Sequence, residues 1–271
     1  MKKLSKIIVC GLCLMLVLGL VAGCGQQQAG NEQEEEQGEN QEDKKVLVVG
    51  TSPDYPPFEF VDDKGNYVGY DMDLIREIGK RLGMEIEIKA LEFDSLIASV
   101  KQGKLDAVIS AMGPTPERLA EADFTDPYYA AKQGVLVKPG SDVKIDTIED
   151  LLKYNFAVQT GTTMHTWASE QIETGAVKEE QVKCYTDVNV AVLDLKNGRV
   201  DALFLDLPVA WSKAKEANLE VTLEVDLKTE EPWGIVVQKG NDELKEKLNG
   251  ALKELKEDGT LDKLEEKWIK Q

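Results

Sequence analysis

Histidine is almost missing: a chain of 271 residues contains one, His165. That all but excludes a Ser-His-Asp triad or a metal site built on imidazoles. His165 falls in a helix-like stretch after Gly161, where a solvated or packed ring is the ordinary fate. Cysteine is scarce too, with four in all. Cys10 and Cys13 sit in an apolar leader, Cys24 ends it, and Cys184 stands alone in "QVKCYTD". Neither a disulfide framework nor a Cys-rich metal site can be assembled from these, and Cys184 reads as a small core residue in a strand. Positive charge is also short, with 32 Lys and Arg against 50 Asp and Glu and a formal net charge of -18. Binding a phosphate backbone needs clustered cations, so nucleic acid is excluded as a partner and a broad contact with anionic lipid is disfavoured. Apolar residues, in contrast, make up 42% of the chain, enough to build the core of one large domain or two of ordinary size.

The N-terminus is organised differently from the rest. Met1, Lys2, Lys3 and Lys6 give a positive start, and Ile7 to Ala22 is then unbroken by charge. That run has the length of a signal-peptide core plus cleavage site and is short for a spanning helix. It ends "LVAGC", which resembles a bacterial lipobox. The resemblance implies a signal peptide at 1–23, cleavage before Cys24, and lipid on the Cys24 thiol and new amino group. The small residues Ala22 and Gly23 argue against an uncleaved anchor. Gly25 to Asp43 has no aromatic and no aliphatic side chain larger than Ala, so residues 24–45 read as an acidic, self-repelling tether.

From Val46 onward short apolar runs alternate with amphipathic stretches. "KVLVVG" reads as a buried strand. "MDLIREIGKRLG" puts Leu74, Ile75, Ile78 and Leu82 on one helical face, with Asp71 as a cap and Gly83 as a stop. "MEIEIK" alternates like a strand, and "FDSLIASVKQG" predicts a helix from Asp94 to a Gly103 stop. The same grammar restarts near Asn155, through "NFAVQ", "TTMHTWASEQI", "QVKCY" and "VNVAVLDLKNG". Strand, helix, strand in alternation predicts an α/β fold with mostly parallel sheets. One segment occurs twice: "KQGKLDAVISAM" from Lys101 and "KNGRVDALFLDL" from Lys196 share Lys, Gly and Asp-Ala at matching positions. Each predicts a helix, a Gly end and a buried strand, so the fold is expected to contain two lobes of one design. The C-terminal stripe Leu244, Leu248, Leu252 and Leu255, with Asn241 as cap and Gly259 as stop, is a packing surface.

Ligands of open parallel sheets bind beyond the carboxyl ends of the strands, which points here to Ser110–Gly113 and to Asp206. Asp206 is either a helix cap or a ligand to something cationic. In "GPTPERLAEADF", Thr115 is the cap and Pro116 the first helical residue, which makes Arg118 the third. A cation there opposes the helix macrodipole at a cost of ~0.3–1 kcal/mol unless it faces an anion, and a guanidinium forks onto a carboxylate. Gly161 and Thr162 open the helix of the second half and aim the amide of Thr163 at the same place. "GTSPDYPPFEF" stiffens a loop with Pro53, Pro56 and Pro57 and presents Tyr55, whereas Phe58 reads as core. Phe93 ends the next strand and pairs with Tyr55 as a second wall.

Taken together, "GTSPDYPPFEF", "GNYVGYDMDL", "FDSLIASVKQGKLDAVISAMGPTPER", "ADFTDPYY", "GTT", "GRVDALFLD" and "DGTLDKLEEKW" resemble the polar-amino-acid solute-binding proteins of ABC importers, notably those for glutamine and for lysine, arginine and ornithine. The resemblance runs from about Val46 to the C-terminus. It implies a two-lobed fold with two hinge crossovers, lobe 1 at 46–132 and 226–271 and lobe 2 at 133–225, closing on ligand like a trap. Arg118 and the amides of Gly113 and Thr163 would clamp an α-carboxylate. Asp206 and the carbonyl of Ala111 would accept from the α-ammonium, Tyr55 and Phe93 would wall the side chain, and Ser52 and Gln159 would help choose it. Two departures stand out: Ser52 replaces a frequent acid, for which Asp54 is a candidate replacement, and Gly113 replaces a usual Ser or Thr. The implied protein is a monomeric, extracytoplasmic lipoprotein without cofactor, metal or catalysis, whose partners are a free polar amino acid, a cognate importer permease and the membrane through Cys24. A rival is a dehydratase-like lyase on the same scaffold, which would have to use Asp54, Glu59 or Asp206. The absence of a spanning segment after Trp268 argues against a receptor sensor domain.

Overall fold

The computed structural model describes residues 45–227 and 232–270. The leader at 1–23, Cys24 and all of the tether except Lys45 lie outside the described residues. The chain begins with β1 (Val46–Thr51) and a small sheet of β2 (Asp54–Tyr55), β3 (Glu59–Val61) and β4 (Tyr67–Val68). There follow α1 (Tyr70–Leu82), β5 (Glu85–Ala90), α2 (Leu96–Lys101), β6 (Ala107–Val108), α3 (Pro116–Glu121) and β7 (Ala122–Phe124). A second group holds β8 (Gln133–Val137), α4 (Ile148–Leu151), β9 (Phe156–Gln159), α5 (Thr163–Glu173), β10 (Val182–Tyr185), α6 (Val188–Lys196), β11 (Ala202–Asp206), α7 (Leu207–Ala217) and β12 (Glu220–Val225). The chain then returns through β13 (Val236–Gln238), α8 (Asp242–Glu257) and α9 (Thr260–Trp268).

Two five-stranded sheets result, in the orders β5-β1-β6-β13-β7 and β10-β9-β11-β8-β12. In each, three parallel strands lie at one side, and the strand fed by a crossover, β13 or β8, is inserted antiparallel to both its neighbours. This is the two-lobed α/β fold that the sequence predicts, with both lobes wired alike. The two crossover segments touch through an antiparallel bridge between Tyr129 and Trp233. Around it Phe58, fully buried, meets Trp233 edge-on at 4.8 Å and Tyr129 at 5.0 Å, so Phe58 is core as expected. Burying such a ring contributes about 1.5–3 kcal/mol.

The repeated segment has a physical explanation. Gly103 and Gly198 adopt φ values of 68° and 70°, left-handed turns that close α2 and α6. Lys104 N donates to Ser99 O at 3.0 Å, and Arg199 N to Asp194 O at 2.9 Å. The shared Asp then fastens the neighbouring strand. Asp106 accepts from Val48 N at 2.8 Å while donating its own amide to Val48 O. Asp201 does the same for Asn155, with its carboxylate 2.9 Å from Asn155 N.

Two local expectations fail. Asp71 does not cap α1, because Gly69 occupies the cap position with φ 127°. A Cβ there would meet Phe58 O at 2.1 Å, so glycine is required, and Asp71 turns fully inward instead. Cys184 is exposed, since β10 is the outer strand of its sheet and sends that side chain to solvent. Among the described residues no helix is long and apolar enough to cross a membrane.

Candidate ligand-binding cleft

The site gathers at the carboxyl ends of strands from both lobes. Lobe 1 supplies Ser52 and Tyr55 after β1, Phe93 at a short 3-10 turn after β5, and Ala111 after β6. Arg118 is the third residue of α3, whose cap Thr115 accepts from Arg118 N at 3.3 Å, with Pro116 leading, as the sequence predicts. Lobe 2 supplies Gln159 at the end of β9, Thr163 at the start of α5 and Asp206 at the end of β11. These eight line one small cavity of about 10 Å³, together with Asp54, Glu59, Thr162 and Met164. Gly113 is not in the lining; its carbonyl accepts from Arg118 Nη1 at 2.6 Å and so orients the guanidinium. The Arg118 guanidinium also lies 5.5 Å from the centre of the Phe93 ring.

Contacts across the cleft show the lobes shut on each other. Tyr55 OH donates to Asp206 Oδ2 at 2.8 Å, and Asp206 N donates back to Tyr55 Oη at 3.2 Å. Asp206 occupies the cap position of α7 without a side-chain hydrogen bond to that helix, so it does not act as the helix cap. Arg118 Nη2 donates to Gly161 O at 3.1 Å. Asp54 Oδ2 accepts from Val188 N at 2.7 Å and from Gln159 Nε2 at 3.1 Å. At Gly161, φ is 82° and an added Cβ would lie 2.8 Å from Asp94 Cβ of the other lobe, so the approach is as close as a glycine allows. His165 is half-buried, and its Nδ1 accepts from Gly161 N at 3.2 Å.

Beneath the lobe 1 side lies a charged interior that sequence reasoning missed. Ala111 has a φ of 46°, unusual for a residue with a Cβ, and is held there by its amide, which donates to Asp71 Oδ2 at 2.9 Å. Tyr128 OH donates to the same oxygen at 2.8 Å. Glu59 is equally buried and accepts from Ser110 Oγ at 3.0 Å. Burial, then the charge of Asp71, raises the Glu59 carboxyl well above its ordinary range. Burial also pushes Asp71 up to about 6, against the donors Ala111 N, Tyr128 and Glu59. Of the two carboxyls, Glu59 is therefore the one that holds a proton more readily. Burial lifts Asp54 to about 6 as well, with the Val188 amide opposing it. No local periodicity announces these acids; Ser52 beside Asp54 apart, their hydrogen-bond partners lie 40 to 134 residues away. Among the described residues no group of three or more His, Cys, Asp or Glu could hold a metal ion.

A far larger depression, about 1390 Å³ and open to solvent, runs beside the cavity past Phe60, Leu91, Trp211, Lys213 and Trp268. The smaller space is the better candidate, because polar groups of both signs converge on it from two lobes.

A two-lobed clamp with opposite charges facing one enclosed space defines a binding protein for a small dipolar solute. The chain belongs to the bacterial extracellular solute-binding proteins, family 3, whose sequence profile matches residues 47–271. The arginine-binding extracellular protein ArtP of Bacillus subtilis (strain 168) is 34% identical over 270 residues, 99% of this chain and 98% of that protein. The L-cystine-binding protein TcyJ of Escherichia coli (strain K12) is 30% identical over 227 residues, 84% of each chain. Among solved structures, an ancestral arginine-binding protein bound to arginine superposes with a TM-score of 0.77 at 41% identity, covering 83% of this chain and 99% of that one. The ancestral amino acid-binding protein AncCDT-1, a precursor of cyclohexadienyl dehydratase, gives a TM-score of 0.72 at 40% identity, over 83% of this chain and 95% of that one.

Proposed function

We propose that the protein captures one free polar L-amino acid between its lobes and delivers it to an ABC importer, while lipid on Cys24 holds it at the outer face of the cell membrane. It acts as a monomer and without a cofactor. The observation that carries the reading is that Arg118 of one lobe and Asp206 of the other line the same buried cavity. An ammonium and a carboxylate leave water at a high cost unless each meets a partner, and a zwitterion carries one pole to match each of these two side chains. Arg118, oriented by the Gly113 carbonyl, takes the α-carboxylate together with the amide of Thr163. The N-terminus of α5 adds its dipole at Thr163. Asp206 and the Ala111 carbonyl take the α-ammonium, and Tyr55 and Phe93 flank the side chain. Residues 46–132 with 226–271, and 133–225, would swing about the two crossovers. The relatives' names, which give arginine and cystine, agree with a polar amino acid as ligand.

A thermal-shift screen of the purified protein against all amino acids tests this. At least one should raise the melting temperature, because a ligand that binds only the folded state stabilises it by mass action. No shift with any amino acid would refute the reading. Cys24→Ser should move the protein from the membrane fraction to the medium, and continued membrane association would refute the anchor. One observation favours a second reading. Glu59 carries a proton and lines the cavity, as the acid of a lyase would. Turnover of a bound compound, lost in Glu59→Gln, would replace transport with catalysis.

A further inference from the structure

We propose that Asp71, which lies outside the cleft, is the positioning residue of the ammonium seat: it holds the Ala111 carbonyl where the α-ammonium of the amino acid can donate to it. This rests on the amino-acid reading above and adds to it a residue that acts without touching the solute.

The start of α1 explains how Asp71 comes to lie there. Gly69 precedes the helix with φ 127°, and a Cβ at that position would lie 2.1 Å from Phe58 O. Its absence lets the helix press against the turn between β2 and β3. Tyr70 N donates to Pro57 O at 2.9 Å, and Asp71 N to Phe58 O at 3.0 Å. Asp71 is thereby 0% exposed and does not line the cavity, whereas Ala111 does.

One carboxylate oxygen then ties two parts of lobe 1 together. Asp71 Oδ2 accepts from Ala111 N at 2.9 Å and from Tyr128 OH at 2.8 Å. Tyr128 lies on the first crossover, and its amide donates to Trp233 O of the second at 2.8 Å. The neighbours of Ala111 are fixed as well. Ser110 Oγ accepts from Ser52 N at 3.0 Å and donates to Glu59 at 3.0 Å, and Met112 O accepts from Gly234 N at 3.1 Å. Ala111 is where this segment turns, with φ 46°. An extended residue has a φ of about −120°, so the Ala111 carbonyl is swung roughly half a turn about a nitrogen that Asp71 holds still. A Cβ disfavours that torsion. Without its acceptor Ala111 would relax toward the extended region and take the carbonyl with it. Among the described residues none donates to that carbonyl. A buried carbonyl needs a donor, and an ammonium supplies one.

The α-amino group is what the seat recognises, so an amino acid and its des-amino analogue separate this role from a purely structural one. Isothermal titration of the purified wild type should give a Kd for L-arginine at least ~100-fold below that for δ-guanidinovalerate, through charge-assisted bonds to Asp206 and Ala111. Asp71→Ala should cut that ratio at least ~tenfold while moving the Kd of the analogue by less than about threefold. Asp71→Asn retains an oxygen for Ala111 N and Tyr128 OH, so its ratio should stay within about threefold of the wild type. A structural defect would weaken both solutes alike, and a long-range pull of the Asp71 charge would be lost equally in both variants. Either result, or an unchanged ratio in Asp71→Ala, would overturn the inference and leave the amino-acid reading standing. Should Asp71→Ala not fold, Tyr128→Phe carries the test: Oδ2 loses one of the two donors that fix it, and the ratio should fall about threefold. No fall there would overturn the inference too. If another amino acid binds in place of arginine, it and its own des-amino analogue take over the comparison. Binding of no amino acid at all would overturn that reading first, and this one with it.

Discussion

Asp106 in lobe 1 and Asp201 in lobe 2 do one job: each follows a left-handed glycine, opens a buried strand, and pins the neighbouring strand through a carboxylate-to-amide bond. Below the cleft the likeness stops. Lobe 2 rests on an apolar core of Phe156, Phe204, Val135, Val158 and Leu151, and offers polar groups at strand ends, at the starts of α5 and α6 and, through buried Lys213, on α7. Lobe 1 adds to its apolar core a hydrogen-bonded polar interior of Glu59, Asp71, Tyr128 and Ser110 that holds Ala111 in an unfavourable backbone conformation. One scaffold thus serves two purposes. The repeated parts fix strand against strand, and the parts that differ fix what each lobe presents to the ligand. Lobe 1 brings the guanidinium and the aromatic walls, and lobe 2 brings the aspartate and the amides.

Three experiments would break or sharpen that division. The largest effect is expected from Arg118→Ala, which removes lobe 1's cation. Affinity for the amino acid should fall by at least ~100-fold, from the loss of charge-assisted bonds of roughly 1.5–3 kcal/mol each, with an unchanged circular dichroism spectrum. Unchanged affinity would mean that lobe 2 grips the solute unaided. Gly161→Ala comes next. Its Cβ would press on Asp94 across the cleft, whereas Gly103 and Gly198 have nothing within 4 Å of theirs. Binding should weaken about tenfold through hindered closure, while Gly198→Ala should cost only stability, about 1 kcal/mol in denaturant titrations. Equal effects on binding would show that Gly161 is merely another turn. The smallest effect is on stability and concerns the polar interior. Glu59 titrates above its ordinary value near 4.5 when folded, so its contribution is intact below that pH and is lost as pH rises through the folded value. Glu59→Gln keeps a donor toward Asp71 without a proton to lose, so its melting temperature should gain on wild type as pH rises from 5 to 8. A constant difference across that range would show that Glu59 holds no such proton.

Much of this was legible in the chain. Thr115, Pro116 and Arg118 gave a cap, a first turn and a directed cation within four consecutive residues, because capping is local chemistry. Gly103 and Gly198 were legible for the same reason. Asp71 misled, since an acid at a helix start fits a cap and a buried acid equally; what decided was Ala111 and Tyr128, 40 and 57 residues away. Cys184 misled because which strand becomes the rim of a sheet is a property of the assembled order, and an edge strand can carry the same residues as an inner one. Asp54 was visible as a departure beside Ser52, but its direction depended on Val188 from the facing lobe.

The bridge between Tyr129 and Trp233 has a kinetic meaning. In the proposed closure, two straps fastened together would deny the halves sliding and twisting and leave them close to a single swing. A solute landing on either half would then need no fresh docking event to be enclosed, only the next stroke, and capture would be governed by how often the solute arrives.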